Sequence, residues 1–348
     1  MKRIKLLALI LVILSLTLTS NAQQVSESNE SENEGTYEEL PFNLSVFYPL
    51  SMNKSDDVVT NFNLSLLYGR VGSVSGVELG GLVNYVKRDV SGLEISGIVN
   101  IVGTGLQGWQ MAGIYNYVGG DASFLQDAGI ANLVEGDFTG AQFAGITNIL
   151  KGELNGLQSA VVNIAGDVYG AQMGTVNIGA AVSGVQIGVI NIADKIDGIP
   201  IGLINIAKEG NVHALVWGSN VILMNVGVKF AVNDYFYSIL SGGYNNNSKN
   251  LAKSLAVGYH MGLHFPVQDN FYLETDIGGY TVDNAELFKA AEGTVNQNML
   301  QIRLMAGYQI SEKLSIFGGI GNNYSVDNNQ KFVDGKNEIM FMAGLQLF

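Results

Sequence analysis

The residues that could do chemistry in this chain are few. Three histidines are present and cysteine is absent, which excludes thiolate metal sites and cysteine nucleophiles. His260 and His264 lie four residues apart on an expected strand, so they share one face at a separation of about 13 Å. That distance is too long for both to bind one metal ion. We therefore expect no metal and no other cofactor.

Three charged residues, Glu274, Asp276 and Arg303, fall on neighbouring expected strands of the C-terminal third. Together with His260 they are candidates for a polar cluster inside a barrel. Structural pairing is the simpler interpretation, and a proton or substrate site is the alternative. No Ser-His-Asp order, phosphate-binding loop or dinucleotide fingerprint occurs in a suitable context. The sequence predicts a protein that is not an enzyme, and an outer-membrane enzyme acting on lipid or glycan is the less favoured alternative.

Composition narrows the possible partners. The chain of 348 residues is 47% hydrophobic and only 14% charged, with a net charge of -13. Binding to nucleic acid requires clustered Lys and Arg that neutralise phosphates, so an acidic chain is not expected to bind it. The apolar content is also too high for a chain that is disordered throughout.

The N-terminus has the layout of an export signal. Residues 1–22 begin with basic side chains, continue with an apolar run and end in small residues, which predicts a signal peptide cleaved after Ala22. A single membrane anchor is the alternative, but the run is shorter than the ~20 residues that span comfortably. Residues 23–40 are acidic and rich in Ser and Asn, and they are predicted to be a disordered linker.

The strongest pattern is a nine-copy repeat between Gly76 and Gly210. Its copies align on an Asn column, with spacings of 16 residues that shorten to 15 and then 14. That column comprises Asn84, Asn100, Asn116, Asn132, Asn148, Asn163, Asn177, Asn191 and Asn205. A second column comprises Gln110, Gln126, Gln142, Gln158, Gln172 and Gln186, with Glu78 and Glu94 before them and Pro200 after them.

The shortening of the period favours a coil over a long strand. The shortening removes one residue between Gln and Asn within a repeat and one between that Asn and the Gln of the next repeat. In a continuous strand, each loss would turn all later side chains to the opposite face. A corner is therefore expected in each half, one at the glycine before the Asn and one in the polar stretch. Stacked coils of this kind form a β-solenoid with an Asn ladder spaced at ~4.8 Å. One large membrane β-barrel, with an antiparallel strand per repeat, is the alternative.

From Val212 onward the hydrophobic period becomes two. Strands are expected at 212–219, 222–231, 235–244, 254–265, 271–280, 298–309, 314–324 and 338–347. Short turns alternate with long polar loops at 245–253, 281–297 and 325–337, which is typical of an outer-membrane barrel. A soluble barrel with the apolar face inside is the alternative. The N-terminal strands within 41–75, at 42–50 and 59–70, could join the same sheet and raise the strand count to ten.

The repeat core G-x-Q-x-(A)-G-x-x-N-I, followed by a strand-rich C-terminal segment, resembles the uncharacterised surface-repeat proteins of Gram-negative bacteria. The resemblance covers residues 76–210. Departures are Phe124 in the first glycine position, Ala160 in the second, and the two glutamates in the Gln column. The resemblance implies an outer-membrane or cell-surface location, and the family supplies no known activity or site.

The sequence thus predicts an all-β protein with two main parts, a β-solenoid-like repeat at 76–210 and an antiparallel C-terminal β-barrel at 211–348. We expect an exported, non-enzymatic protein of the outer membrane or cell surface with a structural or interaction role. Its expected partners are outer-membrane lipid and an unidentified surface partner. A pore or transporter closed jointly by the repeats and the C-terminal strands is the alternative function.

Overall fold

A computed structural model describes residues 38–246, 253–283, 297–327 and 335–348. The predicted signal peptide, most of the predicted linker and much of the three long loops lie outside the described residues. The end of the predicted linker, Glu38–Leu40, is a strand that pairs in parallel with Val58–Thr60. Backbone pairing therefore orders these three residues despite their polar composition.

Within the described part of the chain, no helix is long and apolar enough to cross a bilayer.

The chain forms two units, one ending at Gly174 and the other beginning at Thr175. The strands of the first unit are β1 (Glu38–Leu40), β2 (Asn43–Phe47), β3 (Leu50–Ser51), β4 (Val58–Val71), β5 (Ser73–Gly80), β6 (Val83–Val86), β7 (Val90–Ser96), β8 (Val99–Val102), β9 (Leu106–Ala112), β10 (Tyr115–Val118), β11 (Ala122–Ala128), β12 (Ala131–Val134), β13 (Phe138–Ala144), β14 (Thr147–Leu150), β15 (Leu154–Ser159), β16 (Val162–Ile164) and β17 (Ala171–Met173).

The second unit begins with five further repeat strands and continues with the C-terminal strands. The repeat strands are β18 (Val176–Val182), β19 (Val185–Ile187), β20 (Ile190–Ile196), β21 (Ile199–Ile201) and β22 (Ile204–Ala207). The C-terminal strands are β23 (Asn211–Ser219), β24 (Met224–Ala231), β25 (Phe236–Asn246), β26 (Lys253–Gln268), β27 (Phe271–Asp283), β28 (Gln297–Ser311), β29 (Leu314–Asp327) and β30 (Lys336–Leu347).

Each repeat is one coil made of two arms. In the first unit, β9 and β10 form one coil, and each arm pairs in parallel with the same arm of the next coil. The register aligns Gln110 with Gln126 and Asn116 with Asn132. Parallel pairing at this register confirms the predicted solenoid, and the alternative of one large antiparallel barrel is wrong.

The N-terminal strands extend the solenoid rather than the barrel. Strand β2 pairs in parallel with β4, and β4 pairs in parallel with both β5 and β6. Asn43 lies opposite Asn63, and Asn63 lies opposite Glu78, so the two asparagines continue the Gln column toward the N-terminus. The expected addition of these strands to the barrel, with a total of ten, is therefore wrong.

Two glycine columns shape the coils for different reasons. Gly92 has a φ of 137°, which L-residues rarely adopt, and a Cβ there would lie 1.9 Å from the carbonyl oxygen of Gly76. The glycine before each Asn, such as Gly113, lacks a positive φ, but its Cβ would lie 2.1 Å from the carbonyl oxygen of Gly97. Phe124 occupies the first column with a φ of 93°. The first column requires an unusual backbone, and the second requires a small residue.

The interior of each coil has two halves. Next to the polar corner it is apolar, with Val102, Val118, Leu106 and Phe138 at 0–3% exposure. Complete burial of such side chains stabilises the fold by roughly 1.5–3 kcal/mol each. Next to the glycine corner the interior is filled by the Asn and Gln columns, which are equally buried. Each coil therefore encloses an apolar half and an amide half.

The C-terminal strands form a closed antiparallel barrel of eight strands, from β23 to β30. Neighbouring strands in the sequence pair with each other, and β23 pairs with β30 to close the ring. The predicted strand positions are confirmed within a few residues. Strand β24 begins two residues later than predicted because Ser219 Oγ accepts hydrogen bonds from the backbone N–H groups of Val221 and Ile222, which holds them in a turn.

We expect Gly92→Ala to destabilise the solenoid by more than about 2 kcal/mol because it combines an unfavourable φ with a clash against the backbone of the preceding coil. Thermal unfolding of the full chain in detergent, followed by circular dichroism, measures the loss. Gly105→Ala is the matched control, because its Cβ would lie 3.0 Å from a side-chain oxygen of Asp89 and would come no closer to a backbone atom than 3.7 Å, at the Asp121 carbonyl oxygen. Equal effects of the two substitutions would contradict this account of the glycine columns.

Candidate functional site

The Asn column forms a hydrogen-bonded ladder inside the coils. Asn100 Nδ2 donates to Asn116 Oδ1 at 3.0 Å and to the backbone carbonyl of Met111 at 2.7 Å. One asparagine therefore ties its own strand to both arms of the next coil. In the first unit the ladder joins Asn84, Asn100, Asn116, Asn132, Asn148 and Asn163. In the second unit it joins Asn177, Asn191 and Asn205.

The Gln column forms a second ladder that runs in the opposite direction. Gln126 Nε2 donates to Gln110 Oε1 at 2.7 Å, toward the N-terminus, whereas each Asn donates toward the C-terminus. The same bond joins Gln142, Gln158 and Gln172 to the residue one coil earlier. Gln186, in the second unit, is buried opposite Pro200. Because these amides bond to one another, their role is to hold the coils in register.

Two buried carboxyl groups interrupt the Gln column. Glu78 Oε1 accepts a hydrogen bond from Asn63 Nδ2 at 2.9 Å, and Glu94 Oε2 accepts one from Gln110 Nε2 at 2.8 Å. The two glutamates lie opposite each other on neighbouring coils. Amide donors thus converge on this pair from both sides. Glu78 Oε2 and Glu94 Oε1 accept no hydrogen bond from any residue that the structure describes.

The glutamate pair is suited to sharing a proton. Burial raises the pKa of Glu78 to about 7. Burial also raises the pKa of Glu94 well above its usual value, and the neighbouring Glu78 charge raises it further. Two ionised carboxylates side by side in a dry interior repel each other. A single proton held between their two remaining oxygens removes one charge and supplies the missing hydrogen bond.

The barrel interior contains the predicted polar residues in separate groups. Arg303 donates to both oxygens of Asp276, at 2.6 and 2.7 Å, and Tyr237 also donates to Asp276 at 3.1 Å. Glu274 instead pairs with Lys229, and His260 contacts Gln301 at 3.3 Å. The structure therefore brings Asp276 and Arg303 together, but it gives Glu274 and His260 other partners.

Lys229 is the main residue of the barrel interior that was missing from the polar cluster predicted from the sequence. Its ammonium group contacts Glu274, donates to Gln346 at 3.2 Å and lies 4.3 Å from the ring centre of Tyr237. His264 Nδ1 contacts the same Glu274 at 2.8 Å. The alternation of polar and apolar residues along β24 places Lys229 on the polar face. Its contact with Glu274 on β27 cannot be predicted from that alternation, because it depends on how the barrel closes.

A cavity of about 390 Å³ opens at the short-turn end of the barrel. Its lining includes Lys229, His264, Tyr272 and Phe348. The volume lies within the range of small-ligand pockets. Lys229 is already paired with Glu274, so its ammonium group offers a ligand little uncompensated charge.

The outer wall of the barrel has the opposite character. Its outward positions are aliphatic or aromatic and exposed, for example Val257 at 66% and Phe341 at 60%. Further members are Val226, Ile277, Ile302, Ile320, Ile339 and Leu345. The inward positions are buried and mixed in character, because the ion pairs lie beside an apolar cluster that includes Trp217, Met305 and Met340. A water-soluble barrel instead presents polar side chains on its outer wall.

No protein-family model matches this chain, and no curated protein matches it. Among solved structures, the N-terminal β-barrel domain of Pseudomonas aeruginosa OprF is similar at 15% identity and a TM-score of 0.29, over 40% of this chain and 98% of that domain. Neisserial surface protein A is similar at 14% identity and a TM-score of 0.27, over 39% and 92%. A designed transmembrane β-barrel is similar at 14% identity and a TM-score of 0.22, over 39% and 91%.

We predict that the solenoid loses stability as pH rises through about 7. The folded glutamate pair retains a proton at a pH where an unfolded glutamate, with a pKa of 4.5, has lost it. Its stabilising contribution is therefore complete below about pH 4.5 and declines as pH rises through the folded pKa, by about 1–3 kcal/mol in all. Thermal unfolding of the full chain in detergent between pH 5 and 9 measures this slope.

Glu94→Gln tests the cause of that slope. The new amide can accept from Gln110 and donate to Glu78, so the shared proton is no longer required and the slope should flatten. Glu153→Gln removes the same charge at an exposed corner position and should keep the wild-type slope. An unchanged slope in Glu94→Gln would show that the pair does not share a proton in the folded chain.

Asp276→Asn should destabilise the barrel by about 3–5 kcal/mol because it leaves the Arg303 charge buried without a counter-charge. The temperature at which the folded band converts to the unfolded band in detergent gels reports this loss. Asp197→Asn breaks the exposed pair with Lys195 and should leave the conversion temperature almost unchanged, because water and salt screen that pair. Similar shifts in the two variants would contradict the importance of the buried pair.

Proposed function

We propose that this protein is a non-enzymatic outer-membrane or cell-surface protein in which the eight-stranded barrel anchors the chain and the solenoid serves as a structural or interaction surface. The observation that carries the proposal is the exposed apolar outer wall of the barrel, together with ion pairs that are buried in its interior. Exposed aliphatic side chains all round a barrel are stable in hydrocarbon and unfavourable in water.

Strand length supports the same environment. A membrane-crossing strand needs about 9–11 residues. Strands β26, β27, β28 and β29 have 16, 13, 15 and 14 residues. On the side formed by β26 to β29 the barrel is therefore tall enough to cross the apolar layer of a bilayer, whereas β23 and β24 are shorter, with 9 and 8 residues.

The contents of the barrel favour an anchor over a pore. Eight strands enclose a space that side chains can fill, and here Arg303, Asp276, Lys229 and Tyr237 occupy it. The alternative of a wide pore required the repeats to join the C-terminal strands in one barrel. Since the repeats form solenoid coils instead, that alternative has lost its structural basis.

The proposed partners are outer-membrane lipid around the barrel and an unidentified partner at the surface. The absence of enzymatic activity and of nucleic-acid binding remains part of the proposal. The proposed absence of enzymatic activity is supported by the buried polar residues of the barrel, because they hydrogen-bond to one another. The proposed absence of nucleic-acid binding is supported by the acidic net charge of -13.

Cell fractionation and gel migration test the proposed location. We expect the mature protein to sediment with outer membranes and to migrate differently in detergent gels before and after boiling, because an intact barrel resists unfolding by detergent. In planar bilayers the purified chain should show no stable conductance, since side chains fill its interior. Recovery from the soluble periplasmic fraction would overturn the anchor, and steady single-channel currents would favour a pore.

A further inference from the structure

In the second unit, the last solenoid coil packs against the outer wall of the barrel. Asn205 Nδ2, at the end of its ladder, donates to Ser238 Oγ at 3.2 Å, and the hydroxyl of Tyr259 donates to the backbone carbonyl of Gly202. Ser238 and Tyr259 occupy outward positions on β25 and β26. Two polar groups on an otherwise apolar wall are thus used to bind the coil.

These contacts show how the coil is placed along the barrel strands. At the short turn before β25, Asn233 Nδ2 donates to the backbone carbonyl of Ile196 at 3.0 Å. Tyr259, which contacts the other end of the coil, lies opposite Leu240. From Phe236, the first residue of β25, to Leu240 is about 13 Å along the strand. The coil therefore extends from the turn to the middle of the apolar wall.

The polarity of this coil matches that placement. The edge beside the short turn, which we call the polar edge, carries exposed charges at Asp194, Lys195 and Asp197. The opposite edge, at the glycine corner, is the apolar edge and includes Val189 and Leu203 at 44% and 45% exposure. The surfaces next to the apolar edge are also aliphatic, with Ile187, Ile199, Ile201 and Ile206 exposed.

The coils of the first unit have the same two edges. Their apolar edge consists of Leu82, Ile98, Ile114, Ile130, Ile146 and Val161. Their polar edge includes exposed Asp89, Asp121 and Asp137. Trp109 and Phe124 stack at 5.9 Å on an outer surface of these coils and are 46% and 60% exposed. The amide ladders lie directly inside this aliphatic surface, so the polar groups are turned away from it.

We propose that the apolar edge of the coils in the second unit lies in the hydrocarbon of the bilayer beside the barrel, with lipid acyl chains as its partner, while their polar edge faces water. This inference rests on the proposed membrane location of the barrel. In the second unit, the apolar edge lies beside the middle of the apolar barrel wall along the strand direction. The two apolar surfaces are therefore continuous there. A bilayer that contacts the wall at Leu240 also meets Leu203.

The internal bonding of the coils suits them to lipid. In hydrocarbon, every backbone and side-chain polar group needs a partner within the protein. Parallel pairing between coils uses the backbone groups, and the ladders use the amides. The last coil would otherwise end in an open ladder, and its contacts with Ser238 and Tyr259 close it.

Single-tryptophan variants test this inference, because the chain has only two tryptophans, Trp109 and Trp217. Both are replaced by Phe in the full chain, and one reporter is added at a time. Leu203→Trp reports the apolar edge, Lys195→Trp the polar edge and Ile302→Trp the barrel wall. Each variant is reconstituted in phosphatidylcholine vesicles with or without bromine on the acyl chains, which quenches nearby tryptophan.

We expect about twofold quenching at Leu203→Trp, because an edge buried roughly 5–10 Å below the headgroups contacts the labelled chains. Ile302→Trp should be quenched similarly, and Lys195→Trp should be nearly unaffected.

The reporters separate failure of this inference from failure of the proposed function. Quenching at Ile302→Trp but not at Leu203→Trp would overturn the inference, would leave the anchored barrel intact and would assign the apolar edge to a protein partner. Absence of quenching at both positions would overturn the membrane location itself. Equal quenching at Leu203→Trp and Lys195→Trp would contradict the placement of the two edges.

Discussion

A buried amide must find both a donor and an acceptor, and the ladders of the solenoid meet this requirement by bonding each amide to its counterpart in the next coil. At the start of the Asn ladder, Asn84 Oδ1 accepts no hydrogen bond from any residue that the structure describes. Along the ladder, Asn satisfies the requirement with one side chain that reaches its counterpart one coil on and the opposite arm of that coil. The bond also fixes register, because a coil shifted by one residue would leave several amides without partners. Glycine corners follow from the same constraint, since they allow the coils to approach closely enough for the ladders to form.

Barrel and solenoid apply one principle in two geometries. Each contains buried polar groups that bond to one another beside buried apolar side chains, and each exposes aliphatic side chains on part of its surface. In the barrel the interior groups are ion pairs such as Arg303 with Asp276, and in the solenoid they are neutral amides with one acidic pair. Closing the barrel and stacking the coils both leave few backbone groups at the surface without a hydrogen-bond partner. An apolar environment requires this, because it supplies no hydrogen bonds of its own.

Much of this fold could be predicted from the sequence because both parts repeat a simple period. The Asn and Gln columns indicated the coils, and alternation of polar and apolar residues indicated the barrel strands. The first coils escaped prediction because Asn43 and Asn63 replace Gln there and Gly69 takes the Asn position. The pairing of Lys229 with Glu274 escaped it because β24 and β27 meet only across the closed barrel. Contacts between a coil and the barrel wall carry no periodic signal at all.

The direction of the ladders also bears on how such a protein can change in length. Each interior coil makes the same ladder hydrogen bonds to the coil before it and to the coil after it. Loss or duplication of a whole repeat by recombination therefore leaves no amide without a partner. The ends are different, because the glutamate pair near one end and Ser238 at the other each occur once. A change in repeat number at the interior coils would therefore keep the ladders intact, whereas the acidic pair and the contact with Ser238 each depend on one particular coil.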